Sequence, residues 1–283
     1  MSINKRLFLF AAYDKDGIVD NALLYYLRQL SILGDIIIYM DNDSPESELD
    51  KLKKYTIASF AKRHGEYDFG SYKRAYLYAK ELNILKNYDF IYLVNDSVFG
   101  PMFNISKLLN QMESKKTDAV GLIESKHKTH RFMESWFIML NQKIFLSNWF
   151  NKFLSSVQKE NDKSIITVKY EHGLTKIIEQ NKCSWDCIYS VYGRKTYNKP
   201  KQLFKQGCPF IKKVSFIRHN GSIGNQIKYI FHHSDKDAVQ NIIITANRLY
   251  GEKYMKWFLT YNPIKIFWRN ITYFKTKIQN GGI

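Results

Sequence analysis

Short apolar runs alternate with helical segments along the first half of this 283-residue chain. The apolar runs, which predict buried strands, occupy residues 7–12, 36–40, 56–60, 90–94 and 119–123. Between them lie segments with helical apolar spacing or helix start and stop signals, at residues 20–33, 44–54, 69–85 and 105–113. Strands and helices that alternate in this way predict an α/β fold, in which helices cover both faces of a mainly parallel sheet.

The second half of the chain is less regular. Residues 134–140 predict a further strand, and helices are predicted at residues 144–157, 170–180 and 235–250. Between residues 183 and 231 the pattern indicates only short strands and loops. We therefore predict one domain over residues 1–234 and a C-terminal helical extension over residues 235–283.

The triplet Asn95-Asp96-Ser97 directly follows the apolar run at residues 90–94. In open α/β sheets, ligands bind at the edge formed by the carboxyl ends of the strands. A carboxylate there can hold Mg²⁺ or Mn²⁺, and the cation can hold the diphosphate of a nucleotide. Asp96 is the predicted metal ligand, with Ser97 and Asn95 beside it. The alternative is an ordinary turn, for which the same residue types are common.

Residues 67–73 open the helix that follows the third predicted strand. Gly70 lies near the helix N-terminus, where free N–H groups favour an anion, and Lys73 one turn later could reach a phosphate. Asp68 could accept hydrogen bonds from the base or ribose of a nucleotide. The alternative is that Asp68 only caps the helix, which aspartate often does.

The bulk composition limits the partners and the compartment. A net charge of +17 attracts anions of any kind, and three cysteines argue against a disulfide framework. Neither a signal peptide nor an apolar stretch of bilayer length is visible, so we expect a cytoplasmic protein. Residues 253–283 contain six basic residues, eight aromatic residues and no acid. This composition predicts attachment to an anionic membrane surface, unless the segment packs as an ordinary terminal helix.

Four segments together resemble the rhamnan synthesis protein F family of bacterial glycosyltransferases. They lie at residues 67–73, 95–101, 135–137 and 170–175 and read Tyr-Asp-Phe-Gly-Ser-Tyr-Lys, Asn-Asp-Ser-Val-Phe-Gly-Pro, Ser-Trp-Phe and Tyr-Glu-His-Gly-Leu-Thr. Residues 12–14 and 209–212 are similar to two further family segments. The chain departs from the family where Asn-x-Gly usually precedes Tyr-Asp-Phe-Gly, because His64-Gly65-Glu66 stands there.

The resemblance implies a GT-A-like, Rossmann-like fold that transfers a sugar, typically rhamnose from dTDP-L-rhamnose, to a surface polysaccharide or lipid-linked glycan. It places Tyr13 and Asp41 in the nucleotide-sugar site, together with Asp68, Gly70, Lys73, Asn95 and Asp96. Such a transfer needs a carboxylate base for the acceptor hydroxyl. Glu171 is the first candidate, at a position similar to the base of inverting GT-A enzymes, and Glu124 is the second. The protein would then work at the inner face of the cell membrane.

Two other functions compete with this hypothesis. The charge and the interleaved aromatic residues are also typical of nucleic-acid-binding proteins. The basic residues are spread along the chain, however, and no recognition motif appears, so nucleic acid is not the expected partner. A non-catalytic scaffold of polysaccharide assembly would bind nucleotide without transferring a sugar.

Overall fold

The computed structural model describes residues 4–218 and 222–279. The chain forms two compact units. The first unit comprises Met1–Asp96 and Asn104–Gly193, and the second comprises Ser97–Phe103 and Arg194–Ile283. The chain thus leaves the first unit directly after Asp96 and returns to it at Asn104. The boundary predicted between residues 234 and 235 lies within the second unit, and the division at that position stays a prediction.

The strands alternate with helices in the first unit, as the apolar pattern predicts. The strands are β1 Arg6–Ala12, β2 Asp35–Met40, β3 Ala58–Ala61, β4 Phe90–Asn95, β5 Val98–Phe99, β6 Ala119–Lys126, β7 Arg131–Met133, β8 Phe137–Asn141, β9 Trp185–Tyr192 and β10 Ile211–Lys212. The α-helices are α1 Asn21–Ser31, α2 Glu46–Leu49, α3 Tyr67–Glu81, α4 Ser106–Glu113, α5 Gln142–Phe145, α6 Asn148–Ser155, α7 Lys163–Ile166, α8 Gly173–Gln180, α9 Lys195–Asn198, α10 Pro200–Lys205, α11 Ile223–His232, α12 Lys236–Tyr250, α13 Glu252–Phe258 and α14 Pro263–Gln279. Short 3₁₀ turns lie at Asp50–Leu52, Leu85–Asn87 and Lys213–Ile217, and a π-helical turn lies at Thr167–His172.

The sheet of the first unit is mixed and mainly parallel, which confirms the predicted fold class. Its strand order is β3-β2-β1-β4-β8-β6-β7, and β9 also pairs with β6. The strands β3, β2, β1 and β4 are parallel, as is the pair of β6 and β9, whereas β8 is antiparallel to both of its neighbours. The carboxyl ends of β1 to β4 therefore meet at one edge.

Both faces of the central strand β1 are covered by helices, so all of its residues are buried. On one face, Leu7 and Leu9 belong to a core cluster that includes Phe69 of α3. On the other face, the ring of Phe10 lies edge-on to Tyr26 of α1, with the ring centroids 5.2 Å apart. The continuous apolar run at residues 7–12 reflects this two-sided burial.

Several predicted elements differ from the structure. The helix predicted at residues 144–157 is divided into α5 and α6, because Ser147 caps α6 by accepting a hydrogen bond from the Phe150 N–H. The helix predicted at residues 44–54 is a single turn of α-helix continued by a 3₁₀ turn. The strand predicted at residues 134–140 begins only at Phe137. Between residues 183 and 231 the structure has β9, β10 and the three helices α9 to α11, instead of strands and loops alone.

The second unit is mainly helical. Its two short strands, β5 and β10, form an antiparallel pair, and Phe216 is fully buried among aromatic rings. The rings of Phe99, Tyr250 and Phe258 have centroids within 5.9 Å of the Phe216 ring. In the part of the chain that the structure describes, no helix is long and apolar enough to cross a membrane.

Candidate active site

The ends of β1, β2 and β4 bring together three groups of predicted site residues. The backbone N–H of Asp41 donates to the Ala12 carbonyl over 2.9 Å, and that of Asp96 donates to the Ala11 carbonyl over 3.1 Å. Because β1 lies between β2 and β4, the two aspartates flank the end of β1. Tyr13 follows Ala12 at the same edge and is half exposed.

Asp41 organises the turn after β3. One of its carboxylate oxygens accepts hydrogen bonds from the N–H groups of His64 and Gly65, over 2.8 and 2.9 Å. Its backbone carbonyl accepts a hydrogen bond from the Arg63 guanidinium over 3.1 Å. Asp41 is almost buried, so this carboxylate fixes the turn and at the same time faces the sheet edge.

Arg63 is a candidate that the sequence analysis missed. Its guanidinium carbon lies 5.2 Å from the centroid of the Tyr13 ring, and its side chain is about half exposed. A hydrogen bond with Tyr13 raises the pKa of Arg63, so the group stays charged. A cation two residues after a strand of this edge is the signal that could have identified it.

His64 packs against the first turn of α3. Its Nδ1 accepts a hydrogen bond from the Glu66 N–H over 3.0 Å, so Nε2 carries the proton and lies 3.1 Å from the Ser71 hydroxyl. Burial, together with the charge of Arg74, lowers the pKa of His64 to about 4. The imidazole is therefore neutral at physiological pH.

Gly70 lies under this imidazole, which explains why it has no side chain. A Cβ at position 70 would lie 2.3 Å from the Glu66 Cβ and 2.7 Å from the His64 Cε1. Gly70 belongs to the buried face of α3 rather than to an open helix end.

Lys73 interacts with protein groups. Its ammonium lies 2.6 Å from the Glu66 carboxylate and donates to the Val157 carbonyl over 2.6 Å. Arg74 holds the same carboxylate with two further hydrogen bonds. Burial raises the pKa of Glu66, but the hydrogen bonds from Arg74 and Lys73 lower it by more, so the net shift of this pKa is downward. A nucleotide phosphate would have to compete with Glu66 for Lys73.

The triplet at residues 95–97 adjoins the segment at residues 67–73. The side-chain amide of Asn95, which is almost fully buried, donates to the Asp68 carboxylate over 2.8 Å. Asp96 follows directly and is half-buried, so its carboxylate is not enclosed in the core. Ser97 is the first residue of the second unit, where its hydroxyl accepts a hydrogen bond from the Lys212 ammonium over 3.1 Å.

Glu171 is connected to these residues by Ser135 and Tyr72. One oxygen of Glu171 accepts hydrogen bonds from the N–H and the hydroxyl of Ser135, over 3.0 and 2.9 Å. The Tyr72 hydroxyl donates to the Ser135 carbonyl over 3.0 Å. Burial raises the pKa of Tyr72 well above its ordinary value, and a hydrogen bond with Asn95 opposes that shift. The chain of contacts therefore runs from Glu171 to Asn95.

Glu124, the second candidate base, is held by cations. Its two carboxylate oxygens lie 3.2 Å from the Lys126 ammonium and 3.3 Å from the Arg131 guanidinium. Glu134, which is not among the predicted site residues, is 5% exposed and accepts a hydrogen bond from the Trp136 indole over 2.7 Å. A buried acid beside Ser135 belongs to the surroundings of Glu171.

The donor set at Asp96 fits a cation that is shared with a substrate. Among residues 4–218 and 222–279, no group of three His, Cys, Asp or Glu side chains could hold a metal ion. The Ser97 hydroxyl already holds the Lys212 ammonium. Asp96 would therefore supply one ligand, and Mg²⁺ commonly takes one or two carboxylates and completes its shell with water and substrate phosphates.

Comparisons with known proteins find one matching family model and one curated relative. The model of the rhamnan synthesis protein F family matches residues 36–276. The uncharacterized protein y4gN of Sinorhizobium fredii is 22% identical over 177 residues, which are 62% of this chain and 46% of that protein. The chain thus spans about half the length of this curated relative.

Two solved structures resemble this chain at low sequence identity and with TM-scores below 0.5. The glycosyltransferase GlyE of Streptococcus pneumoniae has a TM-score of 0.46 at 12% identity, over 86% of this chain and 64% of that one. A putative nucleotide-diphospho-sugar transferase of Desulfovibrio desulfuricans has a TM-score of 0.41 at 15% identity, over 88% of this chain and 99% of that one.

Proposed function

Because the chain belongs to the rhamnan synthesis protein F family, we propose that it is a glycosyltransferase that moves a sugar from a nucleotide donor to a glycan acceptor. One observation carries the proposal. Residues from separate segments of the chain lie around the carboxyl edge of a mainly parallel sheet. Asp41 and Asp96 flank the end of β1, Asp68 accepts a hydrogen bond from Asn95, and Glu171 is linked to Asn95 through Ser135 and Tyr72. This is the edge at which α/β sheets bind ligands.

The donor half of the site consists of the residues at the ends of β1 and β2. Tyr13 offers an exposed ring for a nucleobase, and Asp41 offers a fixed carboxylate for the base or ribose. The guanidinium of Arg63, beside both, would contact the diphosphate. The proposed donor is dTDP-L-rhamnose, which follows from the family alone. Mg²⁺ or Mn²⁺ bound at Asp96, with Ser97 near it, would screen the diphosphate charge.

The acceptor half is built around Glu171. Ser135 holds one carboxylate oxygen, and the second oxygen would receive the proton of the acceptor hydroxyl as the new glycosidic bond forms. The nucleoside diphosphate leaves from the opposite face of the sugar, so the anomeric configuration inverts. Glu124 is the weaker candidate for this role because both of its oxygens are paired with cations.

The acceptor we propose is a surface polysaccharide intermediate or a lipid-linked glycan at the inner face of the cell membrane. The support is the family and the basic, aromatic composition of residues 253–283. An anionic membrane surface would concentrate the enzyme where such an acceptor is presented.

The test compares Asp96→Ala with Asp186→Ala, which removes an aspartate paired with Lys115. Transfer from dTDP-L-rhamnose and thermal shifts with dTDP, each with and without Mg²⁺ or Mn²⁺, are the measurements. We expect Asp96→Ala to lose the metal-dependent shift and at least roughly a hundredfold in transfer, since electrostatic stabilisation of this size is typical. Full activity of Asp96→Ala would refute the site.

The acceptor half is tested separately with Glu171→Gln. We expect donor binding to persist while turnover falls by roughly 10²–10⁴-fold, the usual contribution of a general base. Ser135→Ala should show a smaller loss, because Glu171 keeps its bond from the Ser135 N–H. Unchanged turnover of Glu171→Gln would assign the base elsewhere. A chain that binds dTDP but never transfers or hydrolyses the donor would be a scaffold.

A further inference from the structure

The helix α14 presents its apolar stripe outward. Ile264, Phe267 and Trp268 are 66%, 60% and 59% exposed, and they follow the i, i+3, i+4 spacing of one helix face. An ordinary surface helix buries such a stripe against the core and exposes its charges. In α14 the stripe is exposed instead, so it calls for an apolar environment outside this chain.

The face of α14 that points inward carries a charge. Arg269 is only 5% exposed, and its guanidinium donates to the carbonyl of Phe258, the last residue of α13. It also donates to the Asn225 amide oxygen over 3.1 Å. A cation suits the negative end of a helix, and these bonds offset part of the cost of burying it. Burial lowers the pKa of Arg269.

Gly224 of α11 provides the space for this contact. A Cβ at position 224 would lie 2.3 Å from the Phe258 carbonyl oxygen and 2.8 Å from the Arg269 Nη1. The contact therefore fixes the rotation of α14 about its own axis. With Arg269 held inward, the stripe of Ile264, Phe267 and Trp268 can only face outward.

A second cation acts on the segment before α14. Lys228, which is 9% exposed, donates to the Thr260 carbonyl and lies 4.2 Å from the centroid of the Tyr261 ring. Tyr261 itself is 77% exposed. The contact holds a fourth large side chain outward, next to the stripe.

The charge of the second unit indicates what the stripe meets. The unit contains 17 of the 43 basic residues of the chain but only 3 of its 26 acidic ones, a net +14 of the total +17. The first unit, with almost twice as many residues, has a net charge of only +3. The outward apolar side chains thus belong to a strongly basic body.

We infer that α14 lies in the interface of an anionic bilayer, with Tyr261, Ile264, Phe267 and Trp268 among the acyl chains and exposed basic side chains such as Lys265 at the headgroups. Apolar residues on one face and basic residues around it are what an interfacial helix requires. RNA would match the charge and could stack on the aromatic rings, but it offers no apolar medium for Ile264 in the same stripe. The inference deepens the membrane association proposed above, because it names the inserted residues and the cations that orient them.

Flotation of the full chain with vesicles tests the inference. The vesicles are phosphatidylcholine with and without phosphatidylglycerol. The variant is Phe267→Ser/Trp268→Ser, and the control is Ile32→Ser/Leu146→Ser, which removes exposed apolar side chains from the first unit. We expect binding to depend on phosphatidylglycerol and to fall at least roughly tenfold in the α14 variant, because it loses buried apolar area. The control should bind like the wild type.

Arg269→Met and Gly224→Ala test the orientation. Both keep the stripe but disturb the contact that faces it outward, so we expect weaker flotation than the wild type with an unchanged helix content. Wild-type binding by both variants would show that the buried guanidinium does not orient α14, and would overturn that part of the inference.

Three results would overturn the inference as a whole: no flotation with phosphatidylglycerol vesicles, equal flotation of the α14 variant, or a homodimer that this variant abolishes in sedimentation. Salt-sensitive binding to polyuridine RNA without flotation would also overturn it. The thermal shift with dTDP is recorded on the same samples. A wild type that floats but ignores dTDP would contradict the proposed catalysis alone, and a variant that keeps its dTDP shift but loses flotation confirms the membrane helix independently.

Discussion

At the scale of single residues, the candidate site depends on the packing of a glycine. Gly70 lets the His64 imidazole pack on α3, and the His64 N–H is one of the two that Asp41 holds. The glycine that we predict near an anion at a helix N-terminus is thus also required here by packing. The close approach of His64 and Glu66 is what decides it.

We expect Gly70→Ala to destabilise the protein by about 1–3 kcal/mol, the usual cost of overpacking a filled site. The matched change is Gly173→Ala, since Gly173 has ordinary helical φ of −60° and its nearest neighbours would lie 3.8 Å from a new Cβ. That change should stabilise by about 0.4–1 kcal/mol through the unfolded state. Urea unfolding of both variants measures the difference. Equal effects would mean that the space around Gly70 does not matter.

His64 makes stability depend on pH. Its pKa in the folded protein is about 4 against 6.5 ordinarily, so the unfolded chain binds more protons between these values. The contribution of neutral His64 to the free energy of unfolding is therefore fully present above pH 6.5 and is lost as the pH drops towards 4. The slope is at most about 1.4 kcal/mol per pH unit. In His64→Asn this contribution to the slope should vanish. Unfolding free energies over this pH range check it, and parallel curves for the two proteins would contradict it.

The sequence predicted most of the carboxylates of the candidate site and fewer of its cations. Asp41, Asp68 and Asp96 follow from their positions at strand ends and helix starts, which any α/β sheet brings to one edge. Lys73 pairs with Glu66, and Ser97 accepts a hydrogen bond from Lys212. No local pattern specifies these partners, because Glu66 is not at a strand end and Lys212 is distant in the sequence. Arg63 was missed because an exposed arginine after a strand looks like solvent-facing charge.

At the scale of elements, the π-helical turn Thr167–His172 positions the candidate base. A π turn has one residue more than an α-helical turn, and such insertions often occur at functional sites. The extra residue sets the direction in which Glu171 leaves the helix, towards Ser135. The helix predicted at residues 170–180 is α-helical only from Gly173 onward, because periodicity alone cannot reveal a π turn.

Deletion of Val168 tests this element. Val168 is 63% exposed, so its loss should leave the core intact, while the regular helix that results would turn Glu171 by about 100° relative to the residues before the deletion. We expect retained dTDP binding and circular dichroism, with transfer reduced as strongly as in Glu171→Gln. Val168→Ala, which keeps the length, serves as the control. Normal transfer by the deletion variant would show that the π turn is dispensable.

Elements with continuous apolar runs were predictable, because burial on both faces leaves a plain signal at β1, β2 and β4. The region of residues 183–231 was not, since α9 and α10 have only four and six residues. Helices this short bury one or two side chains each and take their stability from tertiary contacts rather than from their own pattern. The early end of the helix at residues 44–54 has the same cause.

At the scale of the whole molecule, the charge is distributed unevenly, although basic residues occur throughout the chain. The first unit balances its cations with acids, and the second contains only three acids. The scarcity of acids, more than the somewhat higher share of basic residues, produces the strong positive charge of the second unit. Composition of the whole chain shows the total of +17 but not this division.

A fragment of residues 1–193 tests how separable the first unit is. It contains Val98 and Phe99, which are 3% and 0% exposed and pair with β10 in the second unit. Without that unit the strand and its apolar side chains are exposed, so we expect aggregation of the fragment. Replacing residues 97–103 by a glycine-serine linker should restore solubility. Comparable solubility of both fragments, measured by sedimentation, would contradict the expectation.

The seven residues Ser97–Phe103 belong to the second unit, although they interrupt the sequence of the first. This interruption constrains how such proteins evolve. A module that is contiguous in a gene can be exchanged by one recombination event at its border. Here an exchange of the second unit would need a matching replacement within a loop that begins directly after Asp96. Drift in β5 and β10 must stay coordinated across more than a hundred codons. We therefore expect the two units to be inherited together.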